Sequence, residues 1–375
     1  MATTVGFPCA YCGKNATRVC EHCDEAPEMH PDDAKKTYYC DAVCQEYNRP
    51  THEAKCDHLK ARKTLIRAAT VMKAALTTYR TRTYNLPLKR IDHNDDVITI
   101  VKNYDIAYKH VNNAAFPEHL VRDTNIRDAV LMKYQCDFAA NTFGHFIGRI
   151  LEGLAAIRIY SMDVTVYPAI KVQVYGDDPR RVPPVHAVLG VKFTSNRERW
   201  VIDLAGAQFG FPEIVVPYAD YLGTRVREIV SQPQPFQRQS MEDQCQLSEE
   251  DLVDMHRPKI RRFAEERACR DWFERLFEDE VVAAAPHEFL LLRERFFKEK
   301  LRGFLDDLDE GMGNRVLSLC RGELLGELVE SVDTESLEAW DMSHREREVD
   351  EYELSTYVLY EYVLDDTDWV TESVG

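Results

Sequence analysis

No stretch of this sequence approaches the roughly 20 consecutive apolar residues that a membrane-spanning helix requires, so none is expected. Met1 to Phe7 has neither the basic start nor the apolar core of a secretory signal, and the expected compartment is intracellular, nucleus and/or cytoplasm. Internal repeats are missing, which excludes a solenoid. Cysteine is sparse beyond residue 56: Cys136, Cys245, Cys269 and Cys320 lie too far apart for a second cluster built from local pairs. No base follows the glycines of Ala205-Gly206-Ala207-Gln208-Phe209-Gly210, so that run is no phosphate cradle. Acids are absent from residues 61–90, which carry eight bases, whereas from Arg302 onward acids outnumber bases 21 to 5. The net charge of -17 disfavours binding to nucleic acid, which depends on neutralising phosphates. The basic run is read as a solvated helix face. With 375 residues, 45% hydrophobic and 30% charged, the chain is long enough for two or three globular domains.

What the sequence does have is concentrated between Cys9 and Cys56. Cys9, Cys12, Cys20, Cys23, Cys40, Cys44, His52 and Cys56 fall in four pairs, C-x2-C, C-x2-C, C-x3-C and H-x3-C. Eight thiol or imidazole ligands complete two tetrahedral zinc sites with none left over. A segment this short and polar has too little core of its own, so metal binding would supply its folding energy. Seven cysteines could also make a disulfide framework, but paired spacings with a lone His are a zinc pattern. Spacing alone leaves open whether consecutive or interleaved pairs share an ion.

These residues carry a resemblance. C-x2-C-x7-C-x2-C, then Tyr39-Cys40-x3-Cys44-Gln45, then His52-x3-Cys56, resembles the MYND zinc finger, and most of all its fungal members. The resemblance implies a cross-braced pairing. One zinc then takes Cys9, Cys12, Cys40 and Cys44, and the other takes Cys20, Cys23, His52 and Cys56. It also implies a protein partner, in transcriptional or developmental regulation. Members that bind proline-rich peptides use a Gln and a Trp after the third pair. Gln45 matches the first and Arg49 stands at the second, which makes these two the candidate partner-binding residues. Some enzymes insert this finger into a methyltransferase domain, but the companion Asn-His motif is missing here.

The rest reads as an α+β protein: the finger (1–57), a helical connector (58–126), a central α+β unit with an antiparallel sheet (127–230), a helical region (241–330) and an acidic C-terminal segment (331–375). Leu65, Ile66, Ala69, Met72, Ala75, Leu76 and Tyr79 recur at helical spacing, with Asn85-Leu86-Pro87 as the stop, and Val97-Ile98-Thr99-Ile100-Val101 is an expected strand within the connector. Arg127 to Leu154 is expected to be one helix. Ile157–Val166, Ile170–Tyr175, Val185–Phe193 and Trp200–Leu204 are expected strands, with a turn at Gly176-Asp177-Asp178-Pro179. Gln232-Pro233-Gln234-Pro235 within Ser231–Ser240 reads as a linker. Helices are expected over Ile260–Glu280 and Glu288–Leu308, ending at Gly311-Met312-Gly313, with another over Leu317–Val329. The acidic segment, with Tyr352, Tyr357 and Trp369, is either a partner-binding arm or a strand docking on a basic face.

Within the central unit, Cys136 lies near a helix, His186 opens a strand and Asp203 closes the next. A His and an Asp on neighbouring antiparallel strands can meet across the ladder, and a Cys on a packed helix can join them. That is the constellation of a thiol nucleophile, its base and the orienting acid. Residues 127–210 resemble the papain-like core of transglutaminase-like proteins in this order and in His186-Ala-Val-Leu and Trp200-Val-Ile-Asp203-Leu-Ala-Gly. The resemblance implies a thiol enzyme, or a relative that keeps the fold without the chemistry. Packing alone also accounts for the three residues, with Cys136 as a small buried hydrophobe. The leading expectation is therefore a zinc-binding interaction protein, with the thiol enzyme as alternative.

Overall fold

Two short β-ribbons open the chain, β1 (Phe7–Pro8) with β2 (Asn15–Ala16) and β3 (Arg18–Val19) with β4 (Tyr38–Tyr39). They lead into α1 (Ala42–Arg82), a 41-residue helix. The computed structural model describes residues 7–29, 33, 36–103, 115–153, 155–176, 185–196, 198–239, 257–283 and 286–320. The acidic segment 331–375, the expected helix beyond Cys320, the turn at 177–179, Ser240 and Cys245 lie outside them.

Helix α1 begins where the Asp41 carboxylate accepts from the Cys44 amide (2.7 Å), satisfying one of the free donors of its first turn. It crosses the finger boundary without a break. Leu65, Ala68, Ala69, Val71, Met72, Ala75 and Leu76 are each 0% exposed. Burying a side chain of the size of Leu65 or Met72 contributes about 2–3 kcal/mol. Contrary to the sequence expectation, the basic run of this helix is not a solvated face: Arg62, Lys63, Arg67 and Arg80 are buried too. The reason is that structure packs around α1 on several sides. Arg62 binds Asp33 and Glu198, while Lys63 Nζ donates to the Asp24 carbonyl (2.8 Å). Arg67 pairs with Glu25 (2.9 Å) and Glu294 (3.0 Å) and donates to the Leu290 and Leu292 carbonyls. Finger loop, sheet turn and C-terminal helices thus converge on one row of cations.

The connector is not helical throughout. After Arg82 come β5 (Leu88–Asn94) and β6 (Val97–Lys102), an antiparallel hairpin whose β-branched run Val97-Ile98-Thr99-Ile100-Val101 favours a strand. Arg127–Leu154 divides into α2 (Thr124–Leu131) and α3 (Cys136–Ile150), broken where Tyr134 takes a left-handed φ of 60°. Strands β7 (Ile157–Val166), β8 (Lys171–Val174), β9 (His186–Phe193) and β10 (Arg199–Ile202) follow, but they do not form one antiparallel sheet. β8 pairs in parallel with β6, and Lys171 lies opposite Val97. β11 (Val215–Pro217), the short helix α4 (Tyr218–Thr224) and β12 (Val226–Pro235) complete an antiparallel sheet of order β11-β10-β9-β7-β12. The Gln-Pro run expected as a linker is the end of β12. Its prolines are tolerated because β12 is an edge strand, which among the described residues pairs only with β7.

Side chains alternate across this sheet. Leu189, Val191 and Phe193 of β9 face the main core with α1 and α3, whereas Val188 joins Met162, Val164, Val201 and Tyr221 on the other side. Helices α5 (Arg257–Phe277), α6 (Pro286–Leu291) and α7 (Glu294–Cys320) close the main core. There Phe273 and Phe277 pack among Tyr79, Phe143 and Phe146. Gly311-Met312-Gly313 does not stop α7. Met312 is buried, and a Cβ on Gly311 would sit 2.5 Å from Trp272, so this glycine serves close helix packing. The protein is α+β, with cysteine clusters at its start.

Candidate functional site

Local turns build the first cysteine cluster. The Gly13 amide donates to the Cys9 carbonyl (2.9 Å) and Gly13 takes φ +73°, folding Cys9 and Cys12 towards one point. The Asp24 amide does the same for the second pair by donating to the Cys20 carbonyl (2.9 Å). Cys44, His52 and Cys56 all stand on α1, and the spacing of His52 and Cys56 sets both on one helix face.

Two groups of four result, Cys9, Cys12, Cys40, Cys44 and Cys20, Cys23, His52, Cys56, with ligand atoms within 4.8 Å of one another in each. This is the interleaved grouping. Its seven cysteines are free, so no disulfide competes. Ligands about 2.3 Å from a tetrahedral ion stand about 3.7 Å apart. The structure has Cys12 and Cys40 sulfurs at 3.6 Å, Cys20 and Cys56 at 3.7 Å, and Cys23 Sγ at 3.4 Å from His52 Nε2. The donor sets therefore fit two metal ions.

Outer contacts steady these ligands. Thr37 Oγ1 lies 3.4 Å from His52 Nδ1, which helps fix the ring as ligand partners commonly do. Gln45 Nε2 donates to Cys20 Sγ (3.8 Å), so this candidate partner-binding residue is turned inward to a ligand sulfur. Arg49 pairs with Glu46 (3.1 Å) and Glu53 (3.9 Å) on its own helix. The finger also exposes apolar side chains: Tyr11 stacks on Tyr47, Val43 lies one turn before Tyr47, and Phe7 stacks on Tyr38. Phe7, Tyr11, Val43 and Tyr47 are 50–64% exposed.

The second set also comes together. His186 opens β9 and Asp203 follows β10; the register Ile202↔Leu189 puts Asp203 diagonally across from His186, on the same sheet face. His186 Nε2 lies 2.9 Å from Asp203 Oδ1, and both side chains are sealed from solvent. A carboxylate only accepts, so Nε2 carries a proton, and Nδ1 is the nitrogen that gains or loses the second one. Nδ1 has no hydrogen-bond partner among the described residues. Tyr221 donates its hydroxyl to Asp203 Oδ2 (2.8 Å). A Cβ at Gly206 would sit 2.6 Å from that same oxygen, so the carboxylate fits only because residue 206 is glycine.

Cys136 is the first residue of α3, where helix amides have no carbonyl partners within the helix. Its Sγ lies 3.9 Å from the carbonyl of Val185, the residue before His186. It shares a cavity of about 10 Å³ with Ala139, Ala187, Leu189, Leu204 and Ala205, room for about one water.

Burial works against charging His186, but the Asp203 carboxylate, with help from the Cys136 thiol, outweighs it and raises the imidazole to about 10. Burial likewise opposes charge on Asp203, yet His186, Tyr221 and Lys73 hold its carboxyl below the ordinary range. Burial and Asp163 push the Asp137 carboxyl up. Raised that far, the imidazole holds both its protons at neutral pH, and the Asp203 carboxylate keeps this imidazolium oriented beside Cys136. Tyr221 went unnoticed in the sequence, since a Tyr among other aromatics carries no distinguishing signal, and Gly206 was noticed without its role beside the Asp203 carboxylate.

No protein-family model, curated protein or solved structure matches the chain.

Proposed function

We propose that this chain is a zinc-binding protein whose finger, of the MYND type, engages another protein in transcriptional or developmental regulation. The observation that carries the reading is the pair of four-ligand clusters, whose thiolate-rich donor sets suit zinc. The exposed face of Phe7, Tyr11, Val43 and Tyr47 is the surface offered to a partner, since clustered aromatics are typical interface anchors. The bases of α1 are engaged inside the protein, which argues against nucleic acid as the partner. Elemental analysis should find two zinc ions per chain. Replacing both Tyr11 and Tyr47 with Ala should abolish partner capture while leaving zinc content unchanged. Capture that survives the double substitution would remove the role given to this face.

A second reading is favoured by a specific observation: the buried His186–Asp203–Tyr221 chain begins next to Val185, whose carbonyl lies 3.9 Å from Cys136 Sγ. On this reading the body is a thiol centre for acyl transfer, with Cys136 as nucleophile, His186 as base and Asp203 as orienting acid. Iodoacetamide at neutral pH should alkylate Cys136 faster in the native chain than in His186→Ala. Equal rates, read by mass spectrometry of the Cys136 peptide, would sink it.

A further inference from the structure

The two cysteine clusters differ in what lies behind them. Around the first, the backbone hydrogen bonds of residues 9–13 stay inside the finger among the described residues. The Cys9 amide donates to the Lys14 carbonyl (2.7 Å) and the Ala10 amide to the Tyr38 carbonyl (2.8 Å). Cys12 of this cluster is exposed, whereas all four ligands of the second are buried.

The second cluster runs straight into the body. Asp24 and Glu25 follow its ligand Cys23, and Glu25 takes a left-handed φ of 62°, which a non-glycine residue holds only under constraint. Lys63 of α1 donates to the Asp24 carbonyl (2.8 Å). One oxygen of Glu25, Oε2, accepts from Arg67 Nη2 (2.9 Å) and from the amide of Glu294 (3.0 Å), the first residue of α7. Amides in the first turn of a helix have no carbonyl partner within it, and the helix dipole favours a carboxylate there. A finger residue thus caps a helix that starts 269 positions further along the chain.

The corner that this carboxylate holds is closely packed. Arg67 is buried, donates to the Leu290 carbonyl (2.9 Å) and to that of Leu292, and pairs with Glu294 (3.0 Å). Its guanidinium lies 4.8 Å from the centroid of the Phe297 ring, which packs on Phe289 (5.1 Å between centroids). The pair Glu21–Arg293 joins the same loop to the same corner, but both side chains are more than half exposed and such a pair contributes little. Residues 21–25 are turns, with no strand or helix of their own. The aim of Glu25 is therefore set by where Cys20 and Cys23 are held, beside Cys56 (3.7 Å between sulfurs) and His52 (Nε2 3.4 Å from Cys23 Sγ) on α1. Ligation to a shared ion is what keeps thiolates that close.

We propose that the second metal site is a latch for the C-terminal helices. With an ion on Cys20, Cys23, His52 and Cys56, Glu25 is fixed on Arg67 and on the first turn of α7. With that ion removed, Glu25 leaves and the corner from Leu290 to Phe297 opens. The first site has no such reach. This goes beyond partner binding by the finger and rests on the metal-binding reading above.

Zinc content and hydrogen–deuterium exchange, measured together on the full chain, test the latch. Cys9→Ser with Cys12→Ser empties the first site, Cys20→Ser with Cys23→Ser empties the second, and Glu25→Ala leaves both filled. Elemental analysis should give two zinc ions for the native chain and for Glu25→Ala, and one for each cysteine variant. The second-site variant and Glu25→Ala should each exchange the amides of residues 294–297 roughly tenfold faster than the native chain, as expected for a lost cap. The first-site variant should keep the native rate. Native protection at 294–297 in the second-site variant despite loss of its ion, or equal exposure in the first-site variant, overturns the latch. So does native protection in Glu25→Ala, which decides the matter even if the cysteine variants do not fold. A native chain that holds no zinc overturns the metal-binding reading, and the latch with it.

Discussion

Arg62 of α1 and Glu198 of the β9–β10 turn form a two-pronged ion pair, with Nε 3.1 Å from Oε2 and the second prong 2.5 Å from Oε1. The Arg62 side chain is wholly buried and its remaining nitrogen binds Asp33 of the finger loop (2.6 Å). One guanidinium therefore joins finger, helix and sheet. Glu198→Ala should cost about 3 kcal/mol, since it leaves a buried charge half-paired. Urea unfolding measures this. A loss below about 1 kcal/mol, the worth of a surface pair, would show that the contact holds nothing together.

Metal removal should unwind part of α1. Cys44, His52 and Cys56 sit in its first four turns, where Pro50 removes a hydrogen-bond donor and most side chains face solvent. Chelation should lower the helical circular dichroism signal and make the finger sensitive to protease. Leu65 onward should stay protected, because its packing does not depend on the ions. Full helicity after chelation would contradict the metal's part in the fold.

The His186–Asp203 pair sets a pH window. His186 is raised from its ordinary 6.5 to about 10, so its contribution to stability is complete below 6.5 and is lost as pH rises towards 10. Asp203 is held below its ordinary 3.8, so its contribution is present above that value and is lost as pH falls further. Stability from the pair should thus be greatest between about pH 4 and 6.5 and decline on the alkaline side. Unfolding free energies over pH 5–10 should fall less steeply in His186→Gln than in the native chain. Parallel curves would mean that His186 does not titrate differently in the folded state.

Two glycines of α7 should respond in opposite directions to the same change. In Gly311→Ala the new methyl would lie 2.5 Å from Trp272, and the overpacking should cost about 1–3 kcal/mol. Gly303 has nothing within 4 Å, so Gly303→Ala should gain up to about 1 kcal/mol from helix propensity. Thermal melts of the two variants decide whether the α7–α5 packing is as close as described.

Much of this was readable from residue patterns. The eight ligands announced themselves by local spacing, and the alternation in Ile157–Val166 and Val185–Phe193 gave strands near their observed limits. What escaped were features set by distant neighbours. The bases of α1 look solvated in a helical wheel, and only Glu25, Asp33, Glu198 and Glu294, remote in sequence, bring them inside. Prolines 233 and 235 suggest a linker until β7 supplies a partner for the edge strand. The left-handed turn at Tyr134 has no glycine to mark it, so α2 and α3 merged into one pattern. Gln208 stood in a run discounted for lacking a phosphate-binding base, while its side-chain oxygen accepts a hydrogen bond from the distant Tyr134 amide.

Helix α1 is about 60 Å long at 1.5 Å per residue. It carries three metal ligands at one end, and further along Lys73 Nζ donates to the Leu204 carbonyl (2.8 Å), next to Asp203. One continuous helix thus touches both the cysteine clusters and the surroundings of Asp203. Whatever occupancy of the metal sites does to the energetics around Asp203, a ligand settling there must return in equal measure to the metal's affinity.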